Sequence, residues 1–182
     1  MNKSEMRRVV FGAKPLTIED VVALAERRAT PELNPDPAFM ARIQRGADFL
    51  DRLLAEEGVI YGVTTGYGDS VTRAVPPALV AELPLHLTRF HGCGLGEDLP
   101  LDAGRAVLAT RLCSLAQGVS GVSPALLERL CWLLEQDLVP RIPQEGSVGA
   151  SGDLTPLSYV AAVLVGEREL HRDGQLASTA EV

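Results

Sequence analysis

The chain has 182 residues, 46% of them hydrophobic and 23% charged, with a formal net charge of −7. That length supports one domain with a sizeable core, and the acidic balance argues against nucleic acid as a partner. No apolar run approaches the roughly 20 residues that span a bilayer, so no membrane association is expected. Only Lys3 and Lys14 are lysines, and the arginines are scattered rather than clustered. The first residues lack a signal-peptide pattern, and a cytoplasmic location is expected. Cys93, Cys113 and Cys131 are widely separated and none falls in a CxxC pair. This argues against zinc, and more strongly against a disulfide framework. Cys113 and Cys131 lie in apolar helical stretches and read as small core residues.

Thr17 with Asp20 three residues on resembles a capping box, which predicts a short helix through Arg28. "ATPELNPDP", 29–37, reads as a proline-rich connector. Asp36 as N-cap and Pro37 at the first helical position predict a helix to Glu57, stopped by Gly58. Its Met40, Ile43, Ala47, Leu50 and Leu54 recur at helical spacing. Further helices are predicted over 77–90, 102–116 and, after Ser123-Pro124, to about Leu138. Thr155-Pro156 repeats that opening and predicts a helix to about Gly166. "ELHRDGQLA", 169–177, reads as a hairpin around Asp173-Gly174. The result is a mainly α chain, interrupted by glycine-rich stretches at 58–68 and 92–96. A third follows at "GSVGASGDL", 146–154, with three glycines, two serines and one alanine.

A structural turn is the plain reading of that third stretch, and the familiar glycine motifs do not displace it. A phosphate loop needs GxxxxGK[ST], and no lysine lies near residue 146. A nucleophile elbow needs GxSxG, but Asp153 stands where its last glycine belongs. "GCGLGE", 92–97, lacks the third glycine of a dinucleotide fingerprint and follows a helical pattern. A different chemistry suits Ala150-Ser151-Gly152. In a tight turn the Gly152 amide nitrogen can reach the Ala150 carbonyl carbon and close a five-membered ring. Loss of two waters then leaves a methylidene on the former Ser151. Glycine offers an unhindered nitrogen, alanine little bulk, and serine the hydroxyl that is eliminated. Gly146 and Gly149 permit strained backbone angles nearby, and Asp153 is placed to assist proton transfers.

"RIPQEGSVGASGDLTPLSYVA", 141–161, resembles the signature of the aromatic amino acid ammonia-lyase and aminomutase family. "IYGVTTGYGDS", 60–70, and "LTRFHGCGLGEDL", 87–99, resemble two further family segments in the expected order. The likeness runs from about Leu16 to Leu170. It implies a 4-methylidene-imidazole-5-one formed autocatalytically from Ala150, Ser151 and Gly152, with Asp153 supporting its formation and no metal. It implies Tyr61 as the catalytic base, and Gly68, Phe90, His91 and Leu154 as substrate contacts. Phe90-His91 is a hybrid: histidine ammonia-lyases typically carry Ser-His, and phenylalanine ammonia-lyases Phe-Leu or similar. Phe90 favours an apolar ring, while His91 can hydrogen-bond an imidazole or phenol. His86 and His171 read as surface groups, and Trp132 and Tyr159 as core.

The resemblance implies the N-terminal part of the ammonia-lyase, fumarase/aspartase-like fold, read as one domain over 1–182 without the long central helix bundle. Family chains are far longer. Not matched here are a downstream asparagine motif, the arginine that grips the substrate carboxylate, and a later acidic residue. The implied activity is release of ammonia from an aromatic L-amino acid to give an arylacrylate. Alternatives are a 2,3-aminomutase or an inactive interaction module that keeps the fold. The implied assembly is a homotetramer at full length, or a pairing with a complementary C-terminal chain.

Overall fold

A computed structural model describes residues 6–56, 58–149 and 152–182. The architecture is mainly helical, with short strands that tie helix ends together. Strand β1 (Arg7–Phe11) runs parallel to β2 (Ala29–Leu33), and α1 (Ile18–Ala25) makes the crossover between them. Thr17 caps α1 as predicted: its hydroxyl accepts from the Asp20 amide, and the Asp20 carboxylate accepts from the Thr17 amide. Asp20 is 3% exposed and also pairs with Arg7, so the same carboxylate fastens helix to strand.

The stretch 29–37 is therefore no simple connector, since its first five residues pair with β1. Proline is tolerated in β2 because, among the described residues, the sheet has two strands and one edge of each carries no ladder. Helix α1 also ends earlier than predicted. Arg27 turns left-handed at φ 58, and the Arg28 amide reaches back to the Ala23 carbonyl. That closure frees Ala29 to start the strand.

Helix α2 (Pro37–Ala55) opens on Asp36, whose carboxylate accepts from the Ala38 amide, and buries Phe39 and Ile43. The predicted helix over 77–90 divides into a 3-10 turn at Pro77–Leu79 and α3 (Leu83–His91). Pro84 explains the break, because proline is accommodated in a first helical turn but not in an interior. Strand β3 (Leu95–Asp98) follows, then α4 (Leu101–Leu115) and α5 (Pro124–Glu135). Helix α5 stops short of Leu138: Asp137 is left-handed at φ 59, and the Leu138 amide closes on the Leu133 carbonyl.

The remaining elements are β4 (Val139–Pro140), β5 (Pro143–Glu145), α6 (Leu154–Leu164), β6 (Glu169–Arg172) and β7 (Gln175–Ser178). Strands β6 and β7 form the predicted hairpin, and β4 adds to its other edge. The core lies where α4 and α5 meet α1, β1 and α6, around Leu108, Leu112, Leu127, Leu130 and Leu133. Tyr159 belongs to it, whereas Trp132, Cys113 and Cys131 are only partly buried against it. Burial, with Glu135 and Glu32 nearby, pushes the Cys131 thiol up to about 11. His86 is exposed, but His171 is half-buried in β6, where pairing with β4 and β7 covers it. No helix among the described residues is long and apolar enough to cross a membrane.

Candidate functional site

Two threonines build the first glycine-rich loop. The Thr64 hydroxyl accepts from the Ile60 amide at 2.8 Å, and Thr65 Oγ1 accepts from the Gly62 amide and donates to the Gly66 carbonyl. A bridge between Thr65 and Ala74 closes the loop's far side. Within it the Tyr61 ring is 61% exposed, and its phenolic oxygen accepts from the Gly68 amide at 2.9 Å. Tyr67 meets that ring edge-on, with centroids 5.9 Å apart at 77°. Gly62 has φ +73, and a Cβ there would stand 2.6 Å from the Tyr67 ring. Burial first, and the neighbouring Tyr61 second, push the Tyr67 phenol above its ordinary value. The Tyr67 phenol thus holds its proton more firmly than a free phenol does.

The second glycine-rich stretch leaves α3 at His91 and turns into β3. Pairing of β3 with β5 brings it beside the segment that precedes α6. The approach is close: a Cβ on Gly146 would lie 2.5 Å from Thr155 Cγ2 and 3.3 Å from the Gly94 Cα. Phe90 and His91 contact edge-on at 5.1 Å, yet they part company beyond that contact. Phe90 is 76% exposed, while His91 is half-buried and lines a cleft between α3 and α6.

The third stretch combines left-handed backbone with open space. Gly152 has φ +74 and Asp153 has φ 54, and among the described residues none beyond the chain neighbours has an atom within 4 Å of a Cβ built on Gly149 or Gly152. Ser147 Oγ donates to the Asp153 carboxylate across the loop. Ala150 and Ser151, two of the three residues expected to form the prosthetic group, lie outside the described residues.

The cleft holds about 480 Å³, and its mostly apolar wall comes chiefly from α3, α4, α5 and α6. Of the residues singled out from sequence, it brings together His91, Gly152 and Leu154. Tyr61 touches it through Tyr67, whose ring is part of the wall. Gly68 is exposed at the phenol's hydrogen bond, and Phe90 is not in the lining. Sequence reasoning missed Tyr67 and Arg111 there. Tyr67 stood inside a quoted motif, but Arg111 carried no signal, being one of three charged residues in its helix with Asp102 and Arg105. Arg111 forms no ion pair among the described residues, unlike Arg89 with Glu167, or Arg141 with Asp98 and Glu169. Those pairings hold both guanidinium groups above their ordinary values. No group of three or more His, Cys, Asp or Glu side chains among the described residues is placed to hold a metal ion.

A sequence model described as aromatic amino acid lyase matches residues 16–182. The chain belongs to the aromatic amino acid lyase family. It is 40% identical over 180 residues to an MIO-dependent tyrosine 2,3-aminomutase of Streptomyces globisporus, covering 99% of this chain and 33% of that protein. It is 39% identical over 166 residues to the histidine ammonia-lyase of Streptococcus sanguinis, covering 91% and 32%. Among solved structures, the tyrosine aminomutase from Streptomyces globisporus superposes with a TM-score of 0.87 at 38% identity, over 96% of this chain and 32% of that one. Histidine ammonia-lyase from Trypanosoma cruzi gives 0.82 at 30% identity, over 96% and 33%. This lyase-family chain thus spans about a third of the length of the relatives it matches.

Proposed function

We propose that this chain supplies one part of the site of a carbon–nitrogen lyase acting on an aromatic L-amino acid and releasing ammonia to leave an arylacrylate. The observation that carries the reading is the convergence of the three motif segments, 60–70, 87–99 and 141–161, on one cleft, with Tyr67, His91, Gly152 and Leu154 in its wall and Tyr61 against Tyr67 at its edge. A prosthetic group made from residues 150–152 needs flanking backbone that tolerates left-handed angles and has room around it. Gly152, Asp153 and Gly149 meet both needs, so the residues present fit a methylidene-imidazolone. That group would supply an electrophile that no ordinary side chain offers.

The chain's own residues have separable tasks in this reading. Tyr61 takes the proton from the substrate's β-carbon, and the Gly68 amide sets a fixed donor where negative charge on the phenolic oxygen must be held. Tyr67, kept protonated, limits where the Tyr61 ring can lie. Leu154 packs on the substrate ring, and His91 offers a polar edge to that ring in an otherwise apolar wall. Asp153, held by Ser147, stands next to the cyclising tripeptide. The apolar wall favours a phenyl or phenol ring over imidazole, whose buried nitrogens would each need a partner. A second reading, a 2,3-aminomutase that returns the amine to the β-carbon, is supported by the 40% identical relative. The full-length assembly we propose is a homotetramer.

The test is a substrate panel on the assembled enzyme, with products resolved as arylacrylate or β-amino acid. Tyr61→Phe is expected to lower turnover at least about 10²-fold without unfolding the protein. Near-normal turnover in that variant would remove Tyr61 as the base. Histidine as clearly the best substrate would overturn the ring preference.

A further inference from the structure

Where α3 ends, two residues from the other side of the cleft hold the chain. Arg168 Nη2 donates to the Gly92 carbonyl at 2.8 Å, and the Tyr159 hydroxyl accepts from the Gly94 amide at 3.0 Å. The Arg168 guanidinium lies 4.4 Å from the centroid of the Tyr159 ring, so the two side chains brace each other. The surrounding backbone is shaped for this arrangement. Arg168 is left-handed at φ 64, a conformation that non-glycine residues adopt rarely. A Cβ on Gly92 would fall 2.0 Å from Arg168 Nη2, so any larger residue there would push the guanidinium off the carbonyl it holds.

What this brace fixes is the residue before it. His91 is the last residue of α3, and its C-cap Gly92 is the residue that Arg168 grips. Tyr159 sits on α6, the helix that also carries Leu154 and the cleft's far wall. We propose that Tyr159 and Arg168 are positioning residues that set where the His91 imidazole stands relative to the start of α6. The consequence for ring recognition rests on the cleft being the substrate site. The positioning itself does not.

The experiment therefore uses the 182-residue chain and needs no turnover. The ring signals of His91 are read by proton–nitrogen correlation spectra, assigned with His91→Gln, in Tyr159→Phe and in Arg168→Met. His86, paired with Glu82 in the turn leading into α3, serves as the internal reference. The expected result in each variant is a displaced His91 signal, an unmoved His86 signal, and about tenfold faster hydrogen exchange at the Gly94 amide in Tyr159→Phe. Unchanged His91 signals would overturn the proposal. Equal movement of His86 would overturn it too, since the whole helix would then have loosened. Arg168 is exposed, so Arg168→Met keeps the test open if Tyr159→Phe fails to fold. Failure of the lyase reading would show instead in the product assays, leaving these spectra unaffected.

Discussion

At the scale of single residues, the most constrained group in the candidate site is a threonine rather than a tyrosine. Thr65 is 5% exposed and its hydroxyl serves two backbone groups, the Gly62 amide and the Gly66 carbonyl. Thr65→Val keeps the shape and strands both, so a loss of about 1–3 kcal/mol in denaturant unfolding is expected, with faster exchange at Gly62. An unchanged midpoint would mean that the loop finds other partners. Tyr67 makes a second case. Its folded-state value is raised above the ordinary phenol value of 10.0, so its contribution to stability is complete below that value. The contribution is lost as pH rises through the elevated folded-state value. Wild type should thus weaken in alkaline solution more steeply than Tyr67→Phe, as read from unfolding midpoints across pH about 9–11. Parallel curves would show that Tyr67 ionises as freely in the fold as outside it.

At the scale of elements, helices and the β6–β7 hairpin announced themselves, and the other strands did not. Thr17, Asp36-Pro37 and Ser123-Pro124 mark helix starts by local chemistry, and the structure opens helices at each. Strands β1 and β2 exist only because α1 folds back between them, and nothing in the local pattern of 29–33 reports a partner 22 residues upstream. The left-handed closures at Arg27 and Asp137 were equally hidden, since neither position carries the glycine that usually marks such a turn. The candidate site divides the same way. Motifs marked Tyr61, His91 and Leu154, whereas Tyr159 and Arg168 act through contacts spanning 65 and 76 residues. Another long-range contact carries the packing of α1, α4 and the turn after α5. Arg105 makes a two-point pair with Asp137 and donates to the Ala25 carbonyl, at 11% and 14% side-chain exposure for the pair. Arg27 shares Asp137 from the other side. Arg105→Ala is expected to cost on the order of 2–4 kcal/mol, because a mostly buried carboxylate then keeps only one partner. A change below about 0.5 kcal/mol would show that Arg27 suffices.

At the scale of the whole molecule, the deciding facts are a cleft open to solvent and a chain that spans a third of its relatives' length. In the proposed reaction, turnover needs the substrate carboxylate gripped while the β-carbon faces Tyr61, and an arginine fork suits that task because it makes two charge-assisted hydrogen bonds. Arg89 and Arg141 are committed to Glu167 and to Asp98 with Glu169. That leaves Arg111 as the arginine in the cleft lining, on α4. In the proposed reading, ring closure at 150–152 makes its own demand, since the turn must be compressed by packing, and among the described residues none beyond the chain neighbours comes within 4 Å of a Cβ built on Gly149 or Gly152. The isolated 182-residue chain is therefore expected to fold, to retain the mass of an uncyclised or partly cyclised tripeptide, and to release no arylacrylate. Intact-mass measurement reads the ring, because closure removes two waters, and an absorbance assay on the same sample reads the product. Full dehydration together with turnover would place the complete machinery within these residues. Arg111→Ala would then tell whether the cleft's own arginine is the grip: loss of turnover through a raised KM, with the ring mass intact, would assign it that role.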